Sequence, residues 1–547
     1  MKPKTTEGNA MCKLPSKLVG IEQRRFHADI RGCADGPWIL ASTPLLTLDG
    51  EERLGTGTRL WFTALQTGRE IVRLRAGDFS CEIPAVVFRE REFFVCLTIS
   101  SNYHVGMDPE AYEIGVRPDG SIPEGHGFRK VCRRLVEPVV HRRGLPVTWL
   151  IDGAVAREGG ALLRDWHTAY GDDYGVMPSS FIHYNAVNYN TALPQEELTA
   201  FLEEQIRRTE DCFPWYTEVA GIDQFIGSVD NGFAAACRRL GIRGLWGMGY
   251  DHPSCDTSMY HRGCPWDCYK PAPDNVRIPA REAAELWAFQ WTQRDLLHTA
   301  VTPTGDSGSV IFSTDVDDIR QTGIMRAEPA YYRRLLEEYR RNFLDGNDYS
   351  VFLMHQEDHD TGFEDNNRYW DTFLSQIDVP VTYATLNEVT AWLNLKYPPE
   401  AHPAMAEVFR DTLTHPEKVE FNGYGGVERP DGWGSYPPHV FYYDRELQLV
   451  ARLGERVPFR VYDYRAHLPV LPGETYPEMS IPTILIREER VENGRYHVRL
   501  ASDAACPGLP LLLFGPREER SVDAGIVTAH FTVVRADIRQ GEQELVL

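Results

Sequence analysis

The chain has 547 residues, and 57 Lys+Arg against 79 Asp+Glu give a formal net charge of −22 at pH 7. That acidic excess argues against nucleic acid or an anionic membrane as the main partner, since both need a cationic face. An apolar fraction of 42% with 25% charged residues is that of a folded globular chain; at roughly 100–200 residues per domain the length allows about three domains, or one barrel of ~250 residues with smaller companions.

The N-terminus, MKPKTTEGNAMCKLPSKLVGIEQ, has scattered lysines but no apolar run, so it does not read as a secretory signal. No stretch reaches the ~18 uninterrupted apolar residues of a membrane-spanning helix, and the expected compartment is the cytoplasm. Eleven cysteines, from Cys12 to Cys506, are an odd count that fits reduced thiols better than a disulfide framework. Short β-rich runs (TRLWFTAL, EIVRLRAG, EIPAVVF) between Gly, Asp and charged turns predict an N-terminal β-rich region over residues 1–92.

From 93 to 400 strand-like apolar runs alternate with amphipathic stretches, the pattern of repeated βα units. The predicted strands are FFVCLTI, PVTWLID, YGVMPSSFI, VAGIDQFI, RGLWGMG, VIFSTD, SVFLMH and PVTYATL. Between them lie helices such as GFRKVCRRLVEPVVHR, QEELTAFLEEQIRRTEDCF, NGFAAACRRLG, AYYRRLLEEYRRNFL and LNEVTAWLNLKY. Seven or eight such units predict an α/β fold, a (β/α)7-8 barrel rather than an open sheet, because polar residues crowd the C-terminal strand ends where a barrel holds its site. Beyond YPPEAHPAM, alternating runs such as YHVRLAS and LPLLLFG predict a C-terminal β-sandwich over residues 401–547.

The most informative run is SVFLMHQEDHD, a buried strand ending in His355, Gln356, Glu357, Asp358 and His359. An imidazole there suits general acid work near neutral pH, and a neighbouring carboxylate can fix its tautomer or bind a polar substrate. A second run, PSSFIHYNAVNYNTALPQEEL, places His183, Asn185 and Asn188 after a strand and before a helix. The loop DHPSCDTSMYHRGCPWDCYKP holds His252, Cys255, His261, Cys264 and Cys268, ligand types that zinc prefers. Its spacing fits no known zinc pattern, so reduced, unligated cysteines are the favoured reading. Trp246, Tyr250, Trp266, Tyr269, Trp287, Trp291 and Trp370 cluster in this half of the chain, and such rings either stack on sugar faces or fill a core. There is no phosphate loop, dinucleotide fingerprint or Gly-x-Ser-x-Gly elbow, which disfavours NTPases, dehydrogenases and serine hydrolases.

The segment FIHYNAVNYNTALPQEEL resembles the third-strand motif of the NodB-like polysaccharide deacetylase superfamily, in which two histidines four apart bind a metal before a helix. His183 falls on the first of these, and Val187 occupies the place of the second. FFVCLTISSN is similar to the first strand, whose usual ending carries a base Asp and a metal-ligand Asp; here those places are Ser100 and Ser101. VFLMH resembles the last motif, which makes His355 the general acid, and PVTYATLNEVTAWL looks like the closing strand and helix.

The resemblance implies a carbohydrate-active hydrolase, with one divalent metal (zinc) held by an incomplete ligand set in which His183 remains. The catalytic candidates are His355, Glu357, His359, Asp152 and Asp223. Asn102, Asn185, Asn188, Asp251, Trp266, Trp291, Asp295 and Asp315 are the substrate-binding candidates, a carbohydrate being the expected partner. For any single Asp among them a helix cap or turn is at least as good an account. Two alternatives stay open: a metal-independent glycoside hydrolase with paired carboxylates, and a sugar-binding barrel without activity.

Overall fold

The computed structural model describes residues 12–32, 36–101, 127–178, 194–221, 232–250, 259–261, 268–273, 280, 282–290, 333, 336–337, 339–340, 348–358, 364–401, 407–410, 417–418, 435–436, 439–441, 449–452, 482–493, 495–514 and 531–547. Its centre is a barrel-like parallel sheet. Seven strands build it: β1 (Glu92–Ser101), β2 (Thr148–Ile151), β3 (Asp173–Val176), β4 (Val219–Gly221), β5 (Gly244–Tyr250), β6 (Trp287–Gln290) and β7 (Tyr349–Glu357). They run in the order β6-β5-β4-β3-β2-β1-β7, every neighbour parallel. Short strands Met259–His261 and Thr382–Tyr383 add to β5 and β1. A parallel sheet covered on both faces selects continuous apolar runs, and all ten residues of β1 are buried. β6, in the run WAFQ, is a strand that the sequence patterning did not single out, while VIFSTD lies outside the described residues.

Alternation along each strand separates two cores. Phe94, Cys96, Leu150, Val219, Trp246, Phe289, Val351 and Leu353 pack together in the barrel interior. Their neighbours Phe93, Val95, Leu97, Trp149, Leu245 and Phe352 instead belong to the core that includes residues of the outer helices, such as Val131, Leu135, Leu163 and Leu202. Those helices are Gly127–Val131 with its continuation Cys132–Val140, then α1 (Gly153–Tyr170), α2 (Gln195–Glu210), α3 (Phe233–Arg239) and α4 (Glu364–Ser375). The continuation is a π-type helix with Pro138 inside it. Proline has no N–H and crowds the preceding turn, and a widened turn relieves both problems.

A last helix, α5 (Leu386–Lys396), closes the barrel at the end where the strands begin. Leu386 N donates to Thr148 Oγ1 (2.9 Å), Asn387 Nδ2 to Tyr174 O (3.2 Å) and Trp287 Nε1 to Asn394 Oδ1 (3.0 Å). Trp392 Nε1 donates to Arg89 O just before β1 (3.0 Å), and Leu386, Val389 and Leu393 share the interior core. α5 thus covers that end, and the opposite, C-terminal rim of the strands carries the polar strand tips. The helix starts with a reciprocal capping box, Thr385 accepting from Glu388 N and the Glu388 carboxylate from Thr385 N, which satisfies donors that a helix start leaves orphaned.

Glu388 is also the hub of a buried ion cluster. Lys17 Nζ lies 2.8 Å from Glu388 Oε1 and 3.7 Å from Asp173 Oδ2, and Arg69 makes a two-pronged contact with both Glu388 oxygens at 2.6 and 3.0 Å. Lys17 and Arg69 come from the N-terminal β region, whose strands form a four-stranded sheet (Leu18–Ile21, Phe79–Phe88, Gly68–Ala76, Trp38–Leu40) and a three-stranded one (Arg25–Arg31, Gly57–Ala64, Leu46–Leu54). Leu18, Phe26, Leu60, Phe62, Leu74 and Ile83 fill the space between them. Near the C-terminus a five-stranded sheet and a three-stranded sheet are formed from strands between Glu407 and Val546. None of the eight described cysteines is in a disulfide, and no helix among the described residues is long and apolar enough to cross a membrane.

Candidate functional site at the C-terminal rim of the barrel

Strands β1 and β7 pair over nine positions, with His355 opposite Thr98 and Glu357 opposite Ser100. In-register residues of parallel strands share a face, so these four side chains lie on the interior face, above Cys96 and Leu353. His355 is completely buried. Its Nδ1 lies 3.0 Å from Thr98 Oγ1 and its Nε2 3.3 Å from Ser100 Oγ, while its ring sits 4.5 Å from that of Trp246. Thr98 Oγ1 also lies 3.3 Å from Met354 O, an acceptor to which its one proton can go. With its proton so directed, Oγ1 can accept from an Nδ1–H, and in that tautomer Nε2 is the acceptor for the Ser100 proton. One layer lower, burial pushes the Cys96 thiol far above its ordinary range, with Glu388 adding to the shift, so Cys96 stays an inert thiol.

The next pair on these strands faces the other way. Asp358 is buried and accepts a short hydrogen bond from Ser101 Oγ, and its backbone N donates to Ser100 O at 3.1 Å. Gly127, at the start of the first outer helix, packs directly on it: a Cβ there would stand 2.6 Å from the Asp358 carboxylate carbon. Asp358 thus anchors a helix behind the sheet. Gly127→Ala forces that contact apart, and a loss of about 1–3 kcal/mol in unfolding free energy is expected from overpacking, measured by urea denaturation of the full chain.

Of the residues singled out from sequence, the structure brings His355 and Glu357 to one face of the rim, Glu357 half-buried at the end of β7. Asp152 follows β2 and is the N-cap of α1, its Oδ1 accepting from Ala154 N and Val155 N at 2.9 Å each. His183, Asn185, Asn188, Asn102, Asp223, Asp251, Trp266, Trp291, Asp295, Asp315 and His359 lie outside the described residues. Of the His- and Cys-containing loop, Cys268 is buried and is in no disulfide. Trp246, Trp287, Trp370 and Tyr269 are at most 1% exposed, so these four rings fill cores instead of presenting open stacking faces.

Thr98 and Ser100 flank the His355 imidazole; Ser100 stands where the resemblance expects a base Asp, and Thr98 was not among the candidates. The signal was present, since an apolar strand that ends in Thr-Ile-Ser-Ser has the same polar tip as the one that ends in His355.

The expected zinc ligand His183 lies outside the described residues, so only the neighbouring motif place is described. Ser101, in the place of the metal-ligand Asp, offers a neutral hydroxyl that is turned toward Asp358 on the helix side. Among the described residues no group of three or more His, Cys, Asp or Glu side chains is placed to hold a metal ion.

No family profile matches the chain, and no curated protein matches it. Among solved structures, a segment comprising domains 4 and 5 of the S-layer protein SbsC is 10% identical with a TM-score of 0.13, over 15% of this chain and 46% of that one. The chain thus spans less than half of that segment. A candidate alpha-galactosidase/melibiase of Bacteroides fragilis is 10% identical over 99% of this chain and 98% of that one, with a TM-score of 0.25. A second candidate alpha-galactosidase of that organism is 7% identical over 100% and 99%, with a TM-score of 0.21. TM-scores this low define neither the fold nor the activity of the present chain, and the NodB-like family suggested by its motifs is not shown by any of these likenesses.

Proposed function

We propose that the chain is a hydrolase that removes acyl groups from a carbohydrate at the C-terminal rim of the barrel, with His355 moving the proton. The observation that carries this reading is the His355 imidazole, held at both ring nitrogens by hydroxyls at the end of the barrel opposite α5. An imidazole held between two hydroxyls has the fixed orientation that general acid–base work requires. The motif order from FFVCLTISSN to PVTYATLNEVTAWL supports a sugar-linked substrate by resemblance. Paired carboxylates, the device of a glycosidase, find less support among the described residues, because Asp152 caps a helix and Asp358 faces away from the interior.

Of acetylated xylo-oligosaccharides (O-acetyl) and chitin oligosaccharides (N-acetyl), incubated with the purified full chain, at least one is expected to release acetate without new reducing ends. Reducing ends without acetate would replace this reading by glycoside hydrolysis, and binding without either product would replace it by a sugar-binding barrel.

A further inference from the structure

We propose that Ser100 is a nucleophile, activated by His355, and that the substrate is an acyl ester of a sugar hydroxyl; this rests on the hydrolase reading above. Three groups stand in sequence across β1 and β7: the Ser100 hydroxyl, 3.3 Å from His355 Nε2; the imidazole; and Thr98 Oγ1, 3.0 Å from Nδ1. A nucleophile, a base and a group that orients the base are the parts of covalent acyl transfer, recognised by geometry and role, not by a local motif. The register places the first two on the interior side of the rim, with Glu357 beside them. A 3.3 Å separation is at the loose end of such contacts, which commonly tighten when substrate binds. The Gly-x-Ser-x-Gly elbow that the chain lacks is one way to present a serine; the end of a barrel strand is another.

The ester class follows from the orienting group. In triads with a carboxylate behind the histidine, that charge stabilises the imidazolium formed during attack. Thr98 is neutral and can only fix the tautomer. An ester asks less of such a dyad than an amide does: it has less resonance to lose on attack, and a sugar alkoxide is a far better leaving group than an amide nitrogen, so an imidazolium with no charge behind it suits an ester.

In the first step Ser100 Oγ bonds to the acyl carbon while its proton passes to Nε2. The bond from the acyl carbon to the sugar oxygen breaks, and that oxygen keeps the electron pair and takes the proton from Nε2. In the second step a water gives a proton to Nε2 and its oxygen attacks the acyl carbon. The bond to Ser100 Oγ breaks and the serine recovers the proton. The sum is ester plus water to carboxylic acid plus sugar hydroxyl, with no redox change.

The test uses the full chain with a fluorophosphonate probe and with p-nitrophenyl acetate. Intact mass and peptide mapping are expected to show one adduct on Ser100, absent in Ser100→Ala and in His355→Ala, and ester turnover in Ser100→Ala to fall at least 100-fold. Ser100→Ala removes one buried oxygen and keeps the strand shape, so far-UV circular dichroism should not change. If Ser100→Ala keeps wild-type turnover while His355→Ala loses it, the covalent step is overturned and the hydrolase reading stands. If both variants keep full turnover, both fall. Thr98→Val tests the positioning role: a shifted pH profile with Ser100 labelling slowed supports the relay, and an unchanged profile and rate remove it.

Discussion

Changing His355 to Ala is expected to lower hydrolytic turnover by about 10²–10⁴-fold, the range that a positioned general acid–base group contributes. The same change removes a ring packed against Trp246 and leaves the Thr98 and Ser100 hydroxyls without their imidazole. A stability loss therefore accompanies it, and turnover must be referred to the folded fraction measured by circular dichroism. His355→Gln separates the two effects. Its amide keeps a hydrogen-bonding group near the two hydroxyls and much of the volume, so the fold should persist, yet an amide is neither acid nor base near neutral pH. Both variants are thus expected to lose turnover, with Gln the more stable. Full turnover in either would overturn the role of His355.

Glu388→Ala carries the largest stability prediction. The carboxylate is buried between Lys17 and Arg69 and also closes the capping box of α5. Removing one partner of a buried pair leaves uncompensated charge, which costs about 3–5 kcal/mol. The urea midpoint of the full chain is the measurement, and a loss under about 1 kcal/mol would show the cluster to be dispensable, as exposed pairs are.

The pH dependence has a definite sign. Burial alone would raise the Glu388 carboxyl, but Arg69 and Lys17 outweigh it and hold it down from 4.5 to about 2. A depressed folded value means stability that is present above the unfolded value and lost as pH falls from about 4.5 toward 2. Asp173 acts in the opposite sense: burial raises it despite Lys17, so its contribution is greatest below its ordinary range and is lost as pH rises through the folded value. Wild type should lose stability through the lower part of that window, and Glu388→Ala should show a flatter acid limb.

Much of the barrel was legible from the apolar runs, because a parallel strand covered on both faces needs nearly every position apolar. FFVCLTI and SVFLMH fall inside β1 and β7, and QEELTAFLEEQIRRTE is α2. The run WAFQ was passed over since four residues after a polar stretch carry too little pattern to separate strand from core loop.

The candidate site divides in the same way. The amino-acid sequence by itself determined that a buried strand ends in His355 and Glu357, that another ends in Thr98, Ser100 and Ser101, and that Thr385 and Glu388 stand at capping-box spacing. Those are local facts, set by side-chain period and by hydrogen bonds within a few residues. Only the tertiary structure decided that His355 meets Ser100 across 255 residues and that Asp358 turns away to hold a helix. It also decided that Glu388 gathers Lys17 and Arg69 from 371 and 319 residues away. Pairings at such separations follow from strand register and from the closing of the barrel floor, which depend on all strands at once and leave no mark in any one segment.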